Sequence, residues 1–196
     1  DLLDGEAEVK IPVQDTTYIK YNIVGANMLN YDWIVNLAHF KGHAMGGFGG
    51  VLKNQSIGVA SANGNAHIHS AGVIAEKEKI WQHTAEQDKF IECMAVAAQS
   101  VHDYFEGRVI YINVMNNLSV DCDCDNSPAD PEMNDVGILA SMDPVALDQA
   151  CVDLVFNYPS TEDDNAAPLI ERINSRHGVH ILEHAAKIGL GSREYE

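Results

Sequence analysis

Basic residues are scarce in this sequence. Only 12 Lys and Arg stand against 29 Asp and Glu in 196 residues, a formal net charge of -17. Nucleic-acid backbones are held by clustered Lys and Arg, so this balance argues against a nucleic-acid partner. Long apolar runs are missing as well. None approaches the roughly 20 residues that cross a membrane as a helix, and no membrane role is expected. The fingerprints G-x-x-x-x-G-K-[ST] and G-x-G-x-x-G do not occur, so no nucleotide site is assigned, and G-x-S-x-G of serine hydrolases does not occur either. Four cysteines in a chain of this length do not make a disulfide framework, and a reducing, cytoplasmic setting fits them. The opening residues, "DLLDGEAEVKIPVQ", include no initiator Met. We expect a piece whose N-terminal portion is absent.

What is present is globular: 46% hydrophobic and 21% charged residues. The length suits one domain over residues 1–196. Strand-like alternation marks 8–13 and 18–24, and "WIVNLAHF" (33–40) reads as a buried strand that ends on His39. A glycine-rich stretch, "HFKGHAMGGFGGVLKN" (39–54), follows and opens a short helix over 52–60. Residues 65–74 read as strand or loop. Phe90, Met94, Ala97, Val101 and Tyr104 recur at helical spacing within 84–105, with Gly107 as the stop. "VIYINVM" (109–115) and "VGILAS" (136–141) read as strands. Asp143 and Pro144 open a further helix as N-cap and first residue, with an apolar face of Leu147, Ala150, Cys151, Leu154 and Val155. Two more helices close on glycines. Strands alternating with helices predict an α/β layer fold, its sheet mixed or mostly parallel and flanked by helices.

Three stretches could carry chemistry. His39, Lys41, His43 and Lys53 surround the glycines Gly46, Gly47, Gly49 and Gly50. Such a turn either folds tightly or lets a phosphate or cofactor approach exposed backbone N–H groups. In "NAHIHSAG", His67 and His69 would share one face of a strand, a common way to offer a metal two neutral imidazoles. Neutral imidazole suits Zn, Ni, Fe or Cu alike. In "SVDCDCDNSPADPEMND", an extended chain puts Asp121, Asp123 and Asp125 on one face and Cys122 and Cys124 on the other. The two thiols could ligate a metal or form a redox pair, and the surrounding carboxylates would raise their pKa. A nearby cation would remove that difficulty. Cys93 and Cys151 lie in apolar helical patterns and read as core residues.

The blocks "NLAHFKGHAMGGFGGVLKNQSIG", "INVMNNLSVDCDCD", "DVGILASMDPVALDQACVDLV" and "GLGSREYE" together resemble the DUF362 family of Fe–S centre proteins, in its C-terminal portion. That resemblance implies an iron–sulfur cluster. Family members often carry C-x-x-C-x-x-C segments, however, and none is found in this chain. A cluster normally takes four thiolates or a His substitute, so an Fe–S cluster held by this chain alone is not expected. More distantly, "HAMGGFGGVLKNQSIG" is similar to the His–glycine–Lys segment of the nickel-pincer lactate racemase family. The family's offsets land on His43, Lys53 and His69. The likeness implies that Lys53 carries the pincer cofactor, His69 binds nickel and His43 handles substrate protons. Ile57 stands where that family has a proline, and the Cys122/Cys124 loop is foreign to it.

Two functions follow as expectations. One is a metal- or cofactor-binding domain, with His43 and Lys53 catalytic and Gly46, Gly47, Gly49, Gly50, Lys53 and Asn54 at the cofactor. Its metal (Ni, Fe or Zn) would be held among His39, His67, His69, Cys122 and Cys124, and its ligand would be a small organic acid undergoing redox or proton/hydride transfer. The other is a non-catalytic electron-transfer or interaction module serving an Fe–S protein or the absent N-terminal portion.

Overall fold

The computed structural model describes residues 3–196. Strands β1 (Glu8–Ile11) and β2 (Asn22–Gly25) pair antiparallel, and a 3-10 turn at Ala26–Asn30 leads to β3 (Ile34–His39). The hairpin β4 (Lys41–His43) and β5 (Gly47–Gly49) precedes α1 (Val51–Ser56), α2 (Ala62–His69) and α3 (Gln87–Tyr104). Then come β6 (Val109–Met115), β7 (Gly137–Ser141), α4 (Pro144–Phe156), α5 (Ala167–Ser175) and α6 (His180–Lys187).

The central sheet runs β3-β6-β7, with β3 parallel and β7 antiparallel to β6. The class is therefore α/β with a mixed sheet, as the alternation of patterns predicts. β6 covers the stretch read from its β-branched residues, and Val109, Tyr111 and Met115 turn inward with no exposed surface. On α3, Phe90, Met94, Ala97 and Val101 are buried, whereas Tyr104 at 39% exposure leaves the stripe. Gly107 with φ +78 follows its end, a backbone region that glycine enters without strain. At α4, the Asp143 carboxylate accepts the Val145 and Ala146 N–H groups at 2.8 and 3.0 Å, with Pro144 in the first turn. Of the apolar face read for α4, only Leu154 departs, being 40% exposed.

Three expectations change. β2 starts at Asn22, later than the alternation from residue 18 suggests. β3 is buried on one side only: Asn36 and Ala38 are 5% exposed, while Val35 and Leu37 are 61% exposed. Residues 65–69 are helical. The Ser61 hydroxyl caps α2 by accepting the Gly64 N–H at 3.0 Å, and Ala66 and Ile68 anchor the helix in the core. The segment has almost no apolar stripe, so periodicity could not reveal it.

Candidate metal centre

The site depends on how closely β4 passes the loop after β6. The Gly42 N–H donates to the Ser119 carbonyl at 2.8 Å. A Cβ on Gly42 would stand 2.1 Å from the Val120 carbonyl oxygen, so only glycine permits the approach. Arg172 of α5 holds the same loop from the other side, donating to Val120 O at 2.8 Å and Asp121 Oδ1 at 2.9 Å. The chain turns just beyond, the Asp125 N–H donating to Cys122 O at 2.8 Å. His43, Cys122 and Cys124 are thereby brought together, their ligand atoms within 4.8 Å of one another. They form a candidate metal-binding group. Gly42→Ala is expected to push the loop off β4, costing about 1–3 kcal/mol of stability by overpacking. Metal affinity at this group should fall with it, measured by urea denaturation and metal titration.

The hydrogen bonds fix the protonation of His43. Its Nδ1 accepts the Met45 and Gly46 N–H groups at 3.2 and 2.9 Å. The proton of the neutral ring therefore sits on Nε2, which faces Cys124 Sγ at 3.9 Å. Burial, and then the charges of Lys53, His69, Lys41 and Arg172, push the His43 pKa down to about 3. The ring is neutral at any ordinary pH. Cys122 Sγ receives the Cys124 N–H at 3.2 Å and lies 4.0 Å from Lys53 Nζ. The Cys124 thiol is raised by burial and then by Cys122, with Lys53 opposing. The acidic neighbours are not among the main causes; Asp121 and Asp123 are ion-paired elsewhere. Asp123 binds His39 at 2.8 Å and Lys41 at 3.0 Å, and these contacts lower its pKa against the effect of burial. The Ala129 N–H and Arg172 do the same for Asp121.

The remaining sequence candidates divide. His69 belongs to the surroundings of the group: its Nδ1–H donates to Asn65 O at 2.9 Å, which leaves Nε2 with a free lone pair, and it stacks on Phe90. Lys53 lowers both His69 and His43 electrostatically. His67 turns away. Two residues subtend about 200° on a helix, so the shared face expected of a strand is lost; His67 stacks on Tyr21 and binds Ile74 O at 3.1 Å. His39 has both ring nitrogens engaged, by Asp123 and by Asn116 O at 2.6 Å, and stands outside the group. Gly46, Gly47, Gly49 and Gly50 are all buried. At two of them the protein itself comes close: a Cβ at Gly47 would meet Gly178 Cα at 2.7 Å, and one at Gly50 would meet Asp148 Oδ1 at 2.2 Å. Asn54 ties α1 to β3 through Asn36 Oδ1 at 2.8 Å.

Cys93 and Cys151 are buried, their thiol pKa values raised by burial, to about 12 at Cys93. Two thiols and one imidazole do not make the four-ligand set of an Fe–S cluster, so the donors of the group do not fit one. Sequence reasoning gave no role to Gly42, Arg172 or Asp148: Gly42 and Asp148 lie within blocks singled out for other residues, and Arg172 lies in none. A cavity of about 760 Å³ lies apart from the group, lined by Leu139, Leu147, Leu154, Tyr158 and Tyr195 among others. Among the described residues, no helix is long and apolar enough to cross a membrane.

Comparison with known proteins finds no matching curated protein and no matching solved structure. The family model described as a domain of unknown function, DUF362, matches residues 1–153. The match takes in β1 through most of α4, with His43, Lys53, His69, Cys122 and Cys124, and leaves Arg172 and the "GLGSREYE" block beyond it. The chain therefore belongs to the DUF362 family.

Proposed function

We propose that this domain binds a first-row transition metal at His43, Cys122 and Cys124 and acts there on a small organic acid. The observation that carries the reading is the convergence of one imidazole and two thiols separated by 81 residues between His43 and Cys124. Two sulfur donors and a nitrogen suit Zn, Ni or Fe, and three protein ligands leave a position open. Lys53 supplies a cation beside Cys122 for an anionic ligand. His69, its Nε2 unprotonated, supplies a proton acceptor. The likeness of the His43–Lys53–His69 spacing to the nickel-pincer racemases supports proton or hydride transfer as the reaction class, and a reducing, cytoplasmic setting would keep both thiols available. His43 imposes a condition on loading. Ligation through Nε2 requires that nitrogen to lose its proton, or the ring to turn over and release the two amides.

Anaerobic purification followed by elemental analysis and Co²⁺ titration tests the proposal. A thiolate-to-cobalt charge-transfer band is expected, with about two protons released from the thiols at pH 7. A further proton that disappears in His43→Ala would identify the Nε2 route. Absence of both metal and band would end the reading. Exposed Cys124 favours a second reading, an electron-transfer or interaction module whose open position is filled by an Fe–S partner; it predicts a chromophore only in the complex.

A further inference from the structure

α3, α6 and the turn before α6 carry a second group of ligating side chains, free of sulfur. Asp88 and Glu92, one helical turn apart on α3, each hold one imidazole. His177 Nδ1 binds Asp88 Oδ1 at 2.7 Å and His180 Nε2 binds Glu92 Oε1 at 3.0 Å. The opposite nitrogen of His180, Nδ1, faces Glu183 Oε2 at 3.2 Å. The ligand atoms of His177, His180 and Glu183 lie within 4.8 Å of one another. A carboxylate behind each imidazole is how proteins orient histidines that bind metal: it fixes the tautomer and makes the far nitrogen more basic. The network is also short of partners. His184, 6% exposed, approaches the same Glu92 from below at 3.7 Å, and its buried Nε2 has no hydrogen-bond partner, lying 3.7 Å from Asp15.

We propose that His177, His180 and Glu183 form a second cation site, independent of the thiol centre, which takes a first-row divalent transition metal through nitrogen and oxygen donors. Two imidazoles and one carboxylate favour Zn²⁺, Co²⁺ or Ni²⁺ over Ca²⁺, which takes six or more oxygens. Three protein ligands leave the remaining positions to water. The rings of His177 and His180 now stack at 4.8 Å with planes 10° apart, and His180, which donates to Glu92 through Nε2 and to Glu183 through Nδ1, would release its Nδ1 proton to ligate. His177 has a 57% exposed side chain, and its ring turns to meet the cation with little to displace. Binding would tie α6 to the 176–179 turn. Gly178 in that turn packs against Gly47, so the clamp would brace the segment behind the β4–β5 hairpin that carries His43.

The test uses the full chain carrying Cys122→Ser and Cys124→Ser, which removes the sulfur donors and leaves this site intact. Titration with Zn²⁺ by calorimetry and Co²⁺ by absorption should show about one equivalent bound, with weak visible bands and no thiolate charge transfer. Adding His177→Ala, at an exposed position, or Glu183→Gln should each weaken binding about tenfold or more. Circular dichroism checks the fold of every variant. No binding to the doubly substituted protein, or binding that both further substitutions leave unchanged, would overturn the proposal. The second case identifies the group as a proton-bridged ladder of histidines and carboxylates. Either result leaves the thiol centre to be judged separately, by the charge-transfer band of the unsubstituted protein.

Discussion

Replacing Cys122 and Cys124 together by serine is expected to abolish the thiolate-to-cobalt band and weaken metal binding at the first centre by at least about 100-fold. Serine keeps the size of cysteine but not its acidity, and at neutral pH it offers a metal a neutral hydroxyl where cysteine offers a thiolate. Stability should change little. Cys124 is exposed and Cys122 packs at the rim of the core at 6% exposure, and a serine hydroxyl at 122 can still accept the Cys124 N–H. The loop itself is held by Gly42, Arg172 and the Asp125 turn, none of which involves sulfur. The serine variant should therefore fold as the parent does while losing the band. Retention of the band at its original intensity would remove both thiols from the site.

The largest effect on stability is expected at Asp148, which has no exposed surface. Its Oδ1 accepts the Val51 N–H at 2.9 Å and Asn113 Nδ2–H at 2.7 Å, and its Oδ2 accepts the Leu52 N–H at 3.0 Å. It thus caps α1 from α4, at a helix start where Gly50 has no side chain to do so. Asp148→Ala leaves three buried donors without an acceptor, and about 3–5 kcal/mol of folding free energy should be lost in urea denaturation at pH 7. A loss under about 1 kcal/mol would show that water or a shift of α1 replaces the carboxylate. Burial raises the Asp148 pKa from 3.8 to about 6, and the three donors offset part of that rise. The sign follows from linkage. A carboxyl whose folded pKa is raised contributes stability in full below the unfolded value, and this is lost as pH rises through about 6, on the order of 3 kcal/mol in all. Asp148→Asn should flatten that part of the stability–pH curve between pH 4 and 6. A slope unchanged in Asp148→Asn would place the titration elsewhere.

Much of the fold was legible because its signals are local. The alternation of "VIYINVM", the four-residue steps from Phe90 to Val101 and the Asp143–Pro144 start each depend on neighbours a few positions away. α2 was not legible, since its helix is held by a serine cap and by Gly64 packed against the Ile23 carbonyl, with little apolar stripe to show. A strand there would pair His67 with His69; as helical residues they part, and only His69 turns towards His43 and Lys53. Of the two readings open for the glycine run, the tertiary structure adds that Gly178 packs at Gly47 and Asp148 at Gly50.

The sequence by itself determined most of the element types, α2 excepted, the burial of Cys93 and Cys151, and the residue kinds able to bind a metal. Composition and short-range periodicity suffice for those properties. Only the tertiary structure decided that His43 meets Cys122 and Cys124 while His39 is consumed by Asp123 and the Asn116 carbonyl. That choice rests on contacts between distant segments, Gly42 beneath Ser119 and Val120 and Arg172 above them, whose geometry no local pattern encodes.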